Sequence, residues 1–176
     1  ILLEPLKKLK VKSVGIDPSI NVAKIANNKG LKTFVGFFDK KIIDKILIKY
    51  PKPDAIVASS VMTHLEKPRE FAKNIKYFLR ENGLLILEIE YFYNFIKNLE
   101  YERFYFDRPY YYSANCINKL FQTYQMSLFD IEIINIHGGS LRLFIKNEKK
   151  VKKTARCIKI LNIEKKYLNI RSLNLI

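Results

Sequence analysis

Apolar runs of strand length alternate with amphipathic stretches of helix length over the first half of the chain. Apolar runs predict strands over 13–17, 33–37, 54–60 and 84–90, the third of them buried. Between them, helical spacing of apolar residues predicts three helices. Their expected buried faces are Val22, Ile25 and Ala26; then Ile42, Ile43, Ile46 and Leu47; then Phe71, Ile75, Phe78 and Leu79. This β-α-β-α-β-α-β order predicts a parallel sheet with helices on both faces.

After Tyr91 the pattern becomes aromatic-rich and irregular. The stretch "SANCINKLFQTY" returns to a helical pattern, with Ser113 as its expected N-cap. The stretch "LFDIEIINIHGGSLRLFIKN" then predicts two strands joined at Gly138-Gly139, which is an antiparallel hairpin. We expect one domain over 1–147 and a basic helical tail over 148–176.

The bulk composition fits one domain with a real core. The chain has 176 residues, and none of its apolar runs reaches the ~18 to 20 residues that a transmembrane helix needs. Its two cysteines lie far apart, with no metal-ligand or disulfide spacing, so we expect no metal site and a reducing, cytoplasmic setting. The N-terminus lacks the features of a signal peptide.

The net charge of +15 could suggest a nucleic-acid partner. Ten Lys or Arg against two Glu between Lys146 and Arg171 account for +8 of it, and the other basic residues are scattered. Arg, the better reader of bases, is scarce beside Lys. We therefore interpret the charge as a solvated lysine surface and expect neither a nucleic acid nor a membrane as partner.

An acid ends the first predicted strand. Asp17 is followed directly by Pro18 and an amphipathic stretch. In Rossmann-like sheets an acid at such a strand end accepts hydrogen bonds from both ribose hydroxyls of a nucleoside. The alternative is helix capping, because an Asp before a Pro at the first helical position is also a good helix start. Position alone leaves the two readings about even.

Polar residues also follow the third predicted strand. Ser59, Ser60 and His64 come after its apolar run, at the edge where open α/β sheets bind ligands. An imidazole is suited to proton transfer at neutral pH, so His64 is a candidate general base. A capping or surface histidine is the alternative.

Two later segments could line a site. Residues 100–113 combine acids, arginines and five tyrosines, which suits a lid over a sugar or base ring, or alternatively an aromatic satellite core. The stretch "HGGSLR" places His137 and Ser140 on either side of a glycine pair, which a tight hairpin turn alone would explain.

In order, the blocks "VGIDPS", "FVGFFDKKIIDKI", "DAIVASSVMTHLEKPREF", "LLILEIEYFYNFIKNLEYERFYFDRPYYYS" and "HGGSLRLFI" resemble one family. They are similar to the class I S-adenosylmethionine-dependent methyltransferases, in particular the C-methyltransferases of nucleotide-linked sugars. The likeness covers about residues 1 to 147 with the spacing of all five blocks kept. It implies an α/β, Rossmann-like class I methyltransferase sheet with helices on both faces and a C-terminal antiparallel hairpin, with the first strand missing.

The resemblance also implies site residues and a cofactor. S-adenosyl-L-methionine would bind at the strand ends, and a nucleotide-linked sugar or similar small molecule would be the methyl acceptor. Tyr111, His137 and Ser140 would face this substrate. The implied cofactor-binding residues are Asp17, Pro18, Phe37, Phe38, Ser59 and Ser60, where the family more often has Asn at the serine positions.

The active-site block departs from the family pattern. The family has Tyr-His-Glu-His where this chain has Tyr105, Phe106, Asp107 and Arg108. Arg108 stands in place of the family's proposed base, and a guanidinium cannot accept a proton at any working pH. The base is then His64 or Tyr105, or the chemistry differs, or this copy is inactive. For an active protein we expect His64 to be the base, Tyr105 its hydrogen-bond partner, Asp107 the orienting group and Arg108 a stabiliser of the developing oxyanion.

The chain also lacks the family's Gly-rich first-strand loop and its N-terminal zinc module. We interpret it as a fragment, whose activity alone is doubtful, and whose β-strand at Asp17 would either pair with "DAIVASS" or leave both edges open. One alternative is a non-catalytic or truncated methyltransferase-fold binding protein. Another is a nicotinamide-dependent enzyme, which the final antiparallel hairpin and the lack of a dinucleotide motif disfavour.

Overall fold

The computed structural model describes residues 2–136 and 138–168 and divides the chain into two compact units, 1–51 and 52–176. The first unit contains α1 (Leu3–Lys8), β1 (Gly15–Asp17), α2 (Ile20–Asn28), β2 (Thr33–Val35) and α3 (Lys40–Leu47). Strands β1 and β2 are parallel, and Asp17 lies opposite Val35 at their carboxyl ends. Its buried apolar residues are Ala23, Leu31, Phe34, Ile42, Ile43 and Ile46.

Helix α2 forms where expected but buries a different face. Val22 and Ile25 are exposed, so their expected burial is wrong, whereas Ala23 is fully buried. One turn after Ala23, the side-chain amide of Asn27 donates to the Thr33 carbonyl (2.8 Å) and accepts from the Thr33 N–H (3.1 Å). These bonds to the β2 backbone fix the rotation of α2, because turning Val22 and Ile25 inward would leave the Thr33 N–H and carbonyl without the Asn27 side chain.

The second unit begins with β3 (Ala55–Ser59), a 3₁₀ turn (Met62–His64), α4 (Pro68–Phe78) and β4 (Leu84–Glu90). It continues with the following elements: α5 (Phe92–Asn98), a second 3₁₀ turn (Tyr101–Arg103), α6 (Ala114–Gln122), β5 (Ser127–Ile134), β6 (Ser140–Lys146) and α7 (Ala155–Tyr167). The sheet has the order β3-β4-β6-β5, with β3 and β4 parallel and β6 antiparallel to both of its neighbours. The expected hairpin and the expected cap of α6 by Ser113 are both present.

The two faces of the four-stranded sheet differ in polarity. One face is fully apolar and buried through Leu85, Leu87, Ile89, Leu141, Leu143 and Ile145. The other carries a polar ladder in register across all four strands. Ser59 donates to Glu88 (2.7 Å), Arg142 bridges Glu88 (2.7 Å) and Glu132 (3.4 Å), and Arg156 of α7 reaches Glu132 (3.0 Å).

Strand β3 lies at the edge of this sheet. Of its five residues only Ala58 is buried, so the expectation of a buried strand is wrong. Its one strand neighbour is β4, and β1 pairs with β2 in a separate sheet. Direct pairing of β1 with β3 is therefore wrong as well. Among the described residues each of these two strands keeps one edge without a partner.

The aromatic segment and the tail are more ordered than their sequences suggest. Helix α5 opens the stretch that we expected to be irregular, and it ends at Leu99, which adopts a left-handed conformation (φ 56°). In the tail, α7 contacts α6 and β5. Within residues 2–136 and 138–168, no helix combines the length and apolar character needed to cross a membrane.

A buried acid attaches α7 to the second unit. Glu164 is fully buried and accepts hydrogen bonds from the backbone N–H groups of Ala114 (2.7 Å) and Asn115 (2.8 Å), and from the Asn115 side chain (2.8 Å). A carboxylate at these N–H groups satisfies donors at the start of α6 and complements its dipole. Burial, together with the charge of Glu164, raises the pKa of Tyr91 well above its usual range.

Candidate active site

In the first unit, Asp17 stands at the carboxyl end of β1 and does not cap α2. Its Oδ1 accepts the N–H of Ser19 (2.8 Å), and Ser19 is the residue whose side chain caps the helix, through Val22 N. The alternative that Asp17 is the N-cap is therefore wrong. Pro18 is exposed and precedes the helix. Among the described residues Oδ2 has no hydrogen-bond partner, which leaves an acceptor at the strand end.

Beyond β2 the chain turns back toward this acceptor. Gly36 donates its N–H to the Asp17 carbonyl (3.0 Å) with φ 152°, a conformation that favours glycine. Phe37 follows with 72% of its surface exposed, and Phe38 is half-buried. Asp39 caps α3 through Ile42 N (2.8 Å). A carboxylate oxygen and an exposed aromatic face at one end of a parallel pair suit the ribose and base of a nucleoside.

In the second unit, Ser59 and Ser60 end β3 in different environments. The Ser59 hydroxyl is engaged by Glu88, whereas Ser60 is exposed and adopts a left-handed conformation with φ 53°. Such a conformation is uncommon for a residue other than Gly, Asn or Asp and costs of order 1–3 kcal/mol, which the bond from Ser60 N to the Glu88 carbonyl (3.0 Å) helps to hold. Backbone strain of this kind is concentrated at functional sites.

His64 ends the 3₁₀ turn that follows β3. Met62 and Thr63 are buried and fix the turn from within, while 44% of the His64 side chain stays exposed. Two tyrosine hydroxyls from the aromatic segment bind this turn and its flank: Tyr112 reaches the Met62 carbonyl (3.5 Å) and Tyr110 the Glu66 carbonyl (3.4 Å). The aromatic segment therefore holds the histidine turn.

Asp107 is the acid that faces His64. Its Oδ2 lies 3.6 Å from His64 Nδ1, slightly beyond hydrogen-bond length and within ion-pair range when the imidazole is protonated. Among the described residues Nε2 of His64 has no partner. A carboxylate on one ring nitrogen favours the tautomer in which the other nitrogen accepts a proton. The two residues expected to cooperate are thus adjacent, although the sequence separates them widely.

Tyr105 and Arg108 belong to the same turn as Asp107. The N–H of Arg108 donates to the Tyr105 carbonyl (3.2 Å), and its guanidinium lies over the Tyr105 ring, 4.6 Å from the centroid. Among the described residues the Tyr105 hydroxyl has no hydrogen-bond partner, so the expected bond to His64 is not formed. The Arg108 guanidinium is ion-paired to Glu90 at the end of β4.

Glu90 and Arg103 are site residues that the sequence reasoning missed. Glu90 is 8% exposed and pairs with both Arg108 and Arg103, and Arg103 also pairs with Glu100 (2.7 Å). An acid at the end of an apolar strand was the available signal, because Asp17 presents the same pattern at the end of β1. Nothing in the local sequence of Arg103 indicated its partners.

The three residues expected to contact substrate have different positions. Tyr111 is half-buried, and its hydroxyl accepts from Tyr105 N (2.6 Å) and donates to the Arg103 carbonyl (3.1 Å), so it holds the turn. Ser140 is buried and donates to the Ile136 carbonyl (3.0 Å). His137 lies outside the described residues. Within those residues, no cluster of three or more His, Cys, Asp and Glu could hold a metal ion.

Comparison with known protein families shows which family this chain belongs to. The family described as "Methyltransferase domain" matches residues 1–129. The chain belongs to this methyltransferase family. Its membership confirms the resemblance to class I S-adenosylmethionine-dependent methyltransferases that the five sequence blocks indicate.

Individual relatives of this methyltransferase agree in fold. The C-methyltransferase NovU of Streptomyces niveus is 23% identical over 142 residues, which are 81% of this chain, and the chain spans about a third (34%) of that relative's length. The magnesium protoporphyrin IX methyltransferase ChlM of Synechocystis with bound S-adenosylhomocysteine superimposes with a TM-score of 0.63 at 14% identity, covering 82% of this chain and 68% of ChlM.

A methyltransferase of Archaeoglobus fulgidus gives a TM-score of 0.57 at 12% identity, covering 82% and 80% of the two chains. At these identities the solved structures establish the fold alone, and they confirm the expected α/β, Rossmann-like class I architecture.

Proposed function

We propose that the protein is an S-adenosylmethionine-dependent C-methyltransferase that acts on a nucleotide-linked sugar. The observation that carries the proposal is the pairing of His64 with Asp107 at the carboxyl end of β3 in a methyltransferase fold. The name of the relative NovU supports carbon as the acceptor atom. A carbon next to a ketone must lose a proton before it can be methylated, and a base beside the acceptor can take that proton.

The first unit would bind the nucleoside part of the cofactor. The free Oδ2 of Asp17 would accept from the ribose hydroxyls, and the exposed ring of Phe37 would stack on the adenine. Pro18 and Phe38 would flank it. In the second unit, Ser59 and Ser60 end β3 and would contact the methyl acceptor. When bound, S-adenosylmethionine supplies a methyl group that is activated toward a carbon nucleophile by the positive charge on its sulfur.

The second unit would activate the acceptor. Nε2 of His64 would take the proton from the carbon next to a sugar ketone, and the electron pair left on that carbon would make it the nucleophile for the methyl group. Asp107 stabilises the imidazolium that forms, which later releases its proton to water. The unpaired hydroxyl of Tyr105 can donate to the developing enolate oxygen.

Methyl transfer from [methyl-¹³C]S-adenosylmethionine to 4-keto nucleotide-sugars, followed by NMR, tests the proposal. We expect a new carbon-bound methyl resonance in the nucleotide-sugar. The same sugar without the attached nucleotide should give no such resonance. A methyl group on oxygen would overturn the C-methyl assignment. Tight binding of S-adenosylhomocysteine and nucleotide-sugar without any turnover would support the non-catalytic binding protein instead.

A further inference from the structure

Glu90 occupies the centre of an ion-pair cluster beside the turn that carries Asp107. Its two carboxylate oxygens are divided between two arginines: Oε1 binds NH1 of Arg108, and Oε2 lies 3.5 Å from NH2 of Arg103. Only 8% of Glu90 is exposed, and the arginine side chains are 19% and 14% exposed. Breaking one of these ion pairs would leave a largely buried charge without a partner. Because that is energetically costly, Glu90 and the two arginines stay paired.

Arg108 links Glu90 to the turn that contains Asp107. Its backbone N–H closes the turn onto the Tyr105 carbonyl, its guanidinium covers the Tyr105 ring, and its NH1 is fixed on β4 by Glu90. Asp107 is the residue immediately before Arg108. The direction of its carboxylate toward His64 therefore depends on where Arg108 is held.

Arg103 anchors the other end of the same stretch. It binds Glu100 (2.7 Å), lies 4.3 Å from the centroid of the Phe95 ring, and its carbonyl accepts the Tyr111 hydroxyl (3.1 Å). The same hydroxyl receives the N–H of Tyr105. Residues 103–108 are thus fixed at both ends, with Glu90 as the shared partner.

The charge balance of the cluster indicates what it does. Two guanidinium groups face two carboxylates, Glu90 and Glu100, so the arginines have little net charge left for an anionic ligand. An oxyanion stabiliser would need a donor aimed at the ligand instead of at a protein carboxylate. This arrangement favours a mechanical role for Arg108.

We infer that Glu90 is a positioning residue that holds the 103–108 turn through Arg108 and Arg103, so that Asp107 faces His64. The inference rests on the proposed function for its catalytic consequence, but the anchoring itself is measurable without substrate. It assigns Arg108 to holding the turn, a role distinct from stabilising an oxyanion.

The chain contains no tryptophan, and Phe106 at the tip of the turn is fully exposed, so Phe106→Trp provides a single reporter. In this background Glu90→Gln should raise the amplitude of fast local motion in time-resolved fluorescence anisotropy to about twice that of the control variant or more. The matched control is Glu88→Gln, which removes the pair with Arg142 from the same strand and face but leaves the turn untouched. Thermal unfolding of each variant verifies that it folds.

Arg108 supplies the second comparison. Arg108 contacts Glu90 through NH1, and its buried Nε has no partner among the described residues. The single ammonium of a lysine can therefore replace the guanidinium in this ion pair. We expect Arg108→Lys to keep the turn rigid and Arg108→Gln to loosen it as Glu90→Gln does. If Glu90→Gln and Arg108→Gln leave the reporter as immobile as Glu88→Gln does, the inference is overturned.

Activity measurements separate this inference from the proposed function. If both hold, Glu90→Gln lowers kcat by about 10- to 100-fold, the scale of a misplaced catalytic group, with the KM for S-adenosylmethionine unchanged. A loosened turn with unchanged kcat would contradict the positioning of a catalytic pair while leaving methyl transfer intact. Absence of any methyl transfer in the unmodified protein, with the turn still loosened by Glu90→Gln, would overturn the proposed function alone.

Discussion

Nδ1 of His64 and Oδ2 of Asp107 lie 3.6 Å apart, although one follows β3 and the other belongs to a turn beyond β4. The histidine follows the buried residues of its own 3₁₀ turn, and the acid precedes Arg108, which is ion-paired to Glu90. A general base and its orienting carboxylate must stay within reach of each other, and these two sets of contacts keep His64 and Asp107 close.

The two histidines of the chain provide a direct comparison. His64→Ala should lower kcat by about a hundredfold or more, the usual contribution of general acid–base catalysis, because among the described residues His64 is the imidazole that faces Asp107. We expect His137→Ala to act mainly on the KM of the acceptor. Steady-state kinetics with saturating methyl donor measures both. Equal losses of kcat in the two variants would remove the distinction.

Asp17 should contribute to cofactor affinity through its free oxygen. Asp17→Ala leaves the ribose hydroxyls without their acceptor and should weaken binding by about 1.5 to 3 kcal/mol, the range for hydrogen bonds to a charged group. Isothermal titration with S-adenosylhomocysteine measures the change. Glu4→Ala, which removes an exposed pair with Lys29 in the same unit, is the matched control and should leave affinity unchanged. Unchanged affinity in Asp17→Ala would confine Asp17 to its turn with Ser19.

Glu164 should contribute more to stability than a pair at the surface does. Glu164→Gln turns an amide N–H₂ toward backbone donors that now bind a carboxylate, and should lower the free energy of unfolding by about 1–3 kcal/mol. Glu148→Gln, at an exposed residue 3.7 Å from Lys146, is the control and should cost less than about 1 kcal/mol. Urea unfolding compares them. Equal effects would mean that the buried contacts of Glu164 contribute no more than a surface pair.

The Asp130–Arg156 pair should make stability depend on acid pH. Hydrogen bonds from Arg156 hold the pKa of Asp130 at about 2, below its ordinary 3.8. A carboxyl with a lower pKa in the folded state stabilises the fold above its unfolded value and loses this contribution as pH falls through the folded value. Between pH ~4 and ~2 the unmodified protein should therefore lose about 1–2 kcal/mol more than Arg156→Gln, an amount kept small because Arg156 is half exposed.

Urea unfolding of the two proteins at several pH values measures this difference. Parallel pH profiles would show that Arg156 does not set the pKa of Asp130.

Gly138 should be intolerant of a side chain because of Arg103. A Cβ there would lie 2.1 Å from NH1 of Arg103, in a backbone with φ 67°. Gly30 has nearly the same φ (69°), but its Cβ would meet only the flexible end of Lys7. Gly138→Ala should therefore destabilise more than Gly30→Ala, by about 1 kcal/mol or more, because Arg103 must leave its buried ion pairs. Thermal unfolding of both variants gives the difference, and equal losses would assign the whole effect to backbone strain.

The hydrophobic pattern predicted the positions of the helices and strands well. It predicted less well which face of α2 is buried and whether β3 is buried. Runs of apolar residues located all four strands of the first half, and the glycine pair located the hairpin. The burial of Val22 and Ile25 was wrong because α2 is oriented by the bonds of Asn27 to Thr33, and a side-chain bond to a distant backbone leaves no periodic signal. The exposure of β3 follows from its edge position, which depends on sheet order.

The candidate site was predictable only as separate residues. Its position after β3 made His64 a candidate and the resemblance to a family added Asp107, but neither composition nor spacing placed them side by side. Glu90 and Arg103 were missed, because their roles arise from ion pairs between β4 and the aromatic segment. Interactions of this kind become visible only when the sheet brings strand ends together.

Proton exchange at the acceptor carbon tests the proposed base most directly. The protein is incubated in D₂O with a 4-keto nucleotide-sugar and S-adenosylhomocysteine, so that no methyl group can be transferred, and deuterium entering the carbon next to the ketone is followed by NMR. We predict enzyme-dependent exchange that falls by about 100-fold in His64→Ala, drops markedly in Asp107→Asn, and persists in Asp54→Asn, a carboxylate in an exposed pair with Arg80. Exchange that persists undiminished in His64→Ala would contradict the account.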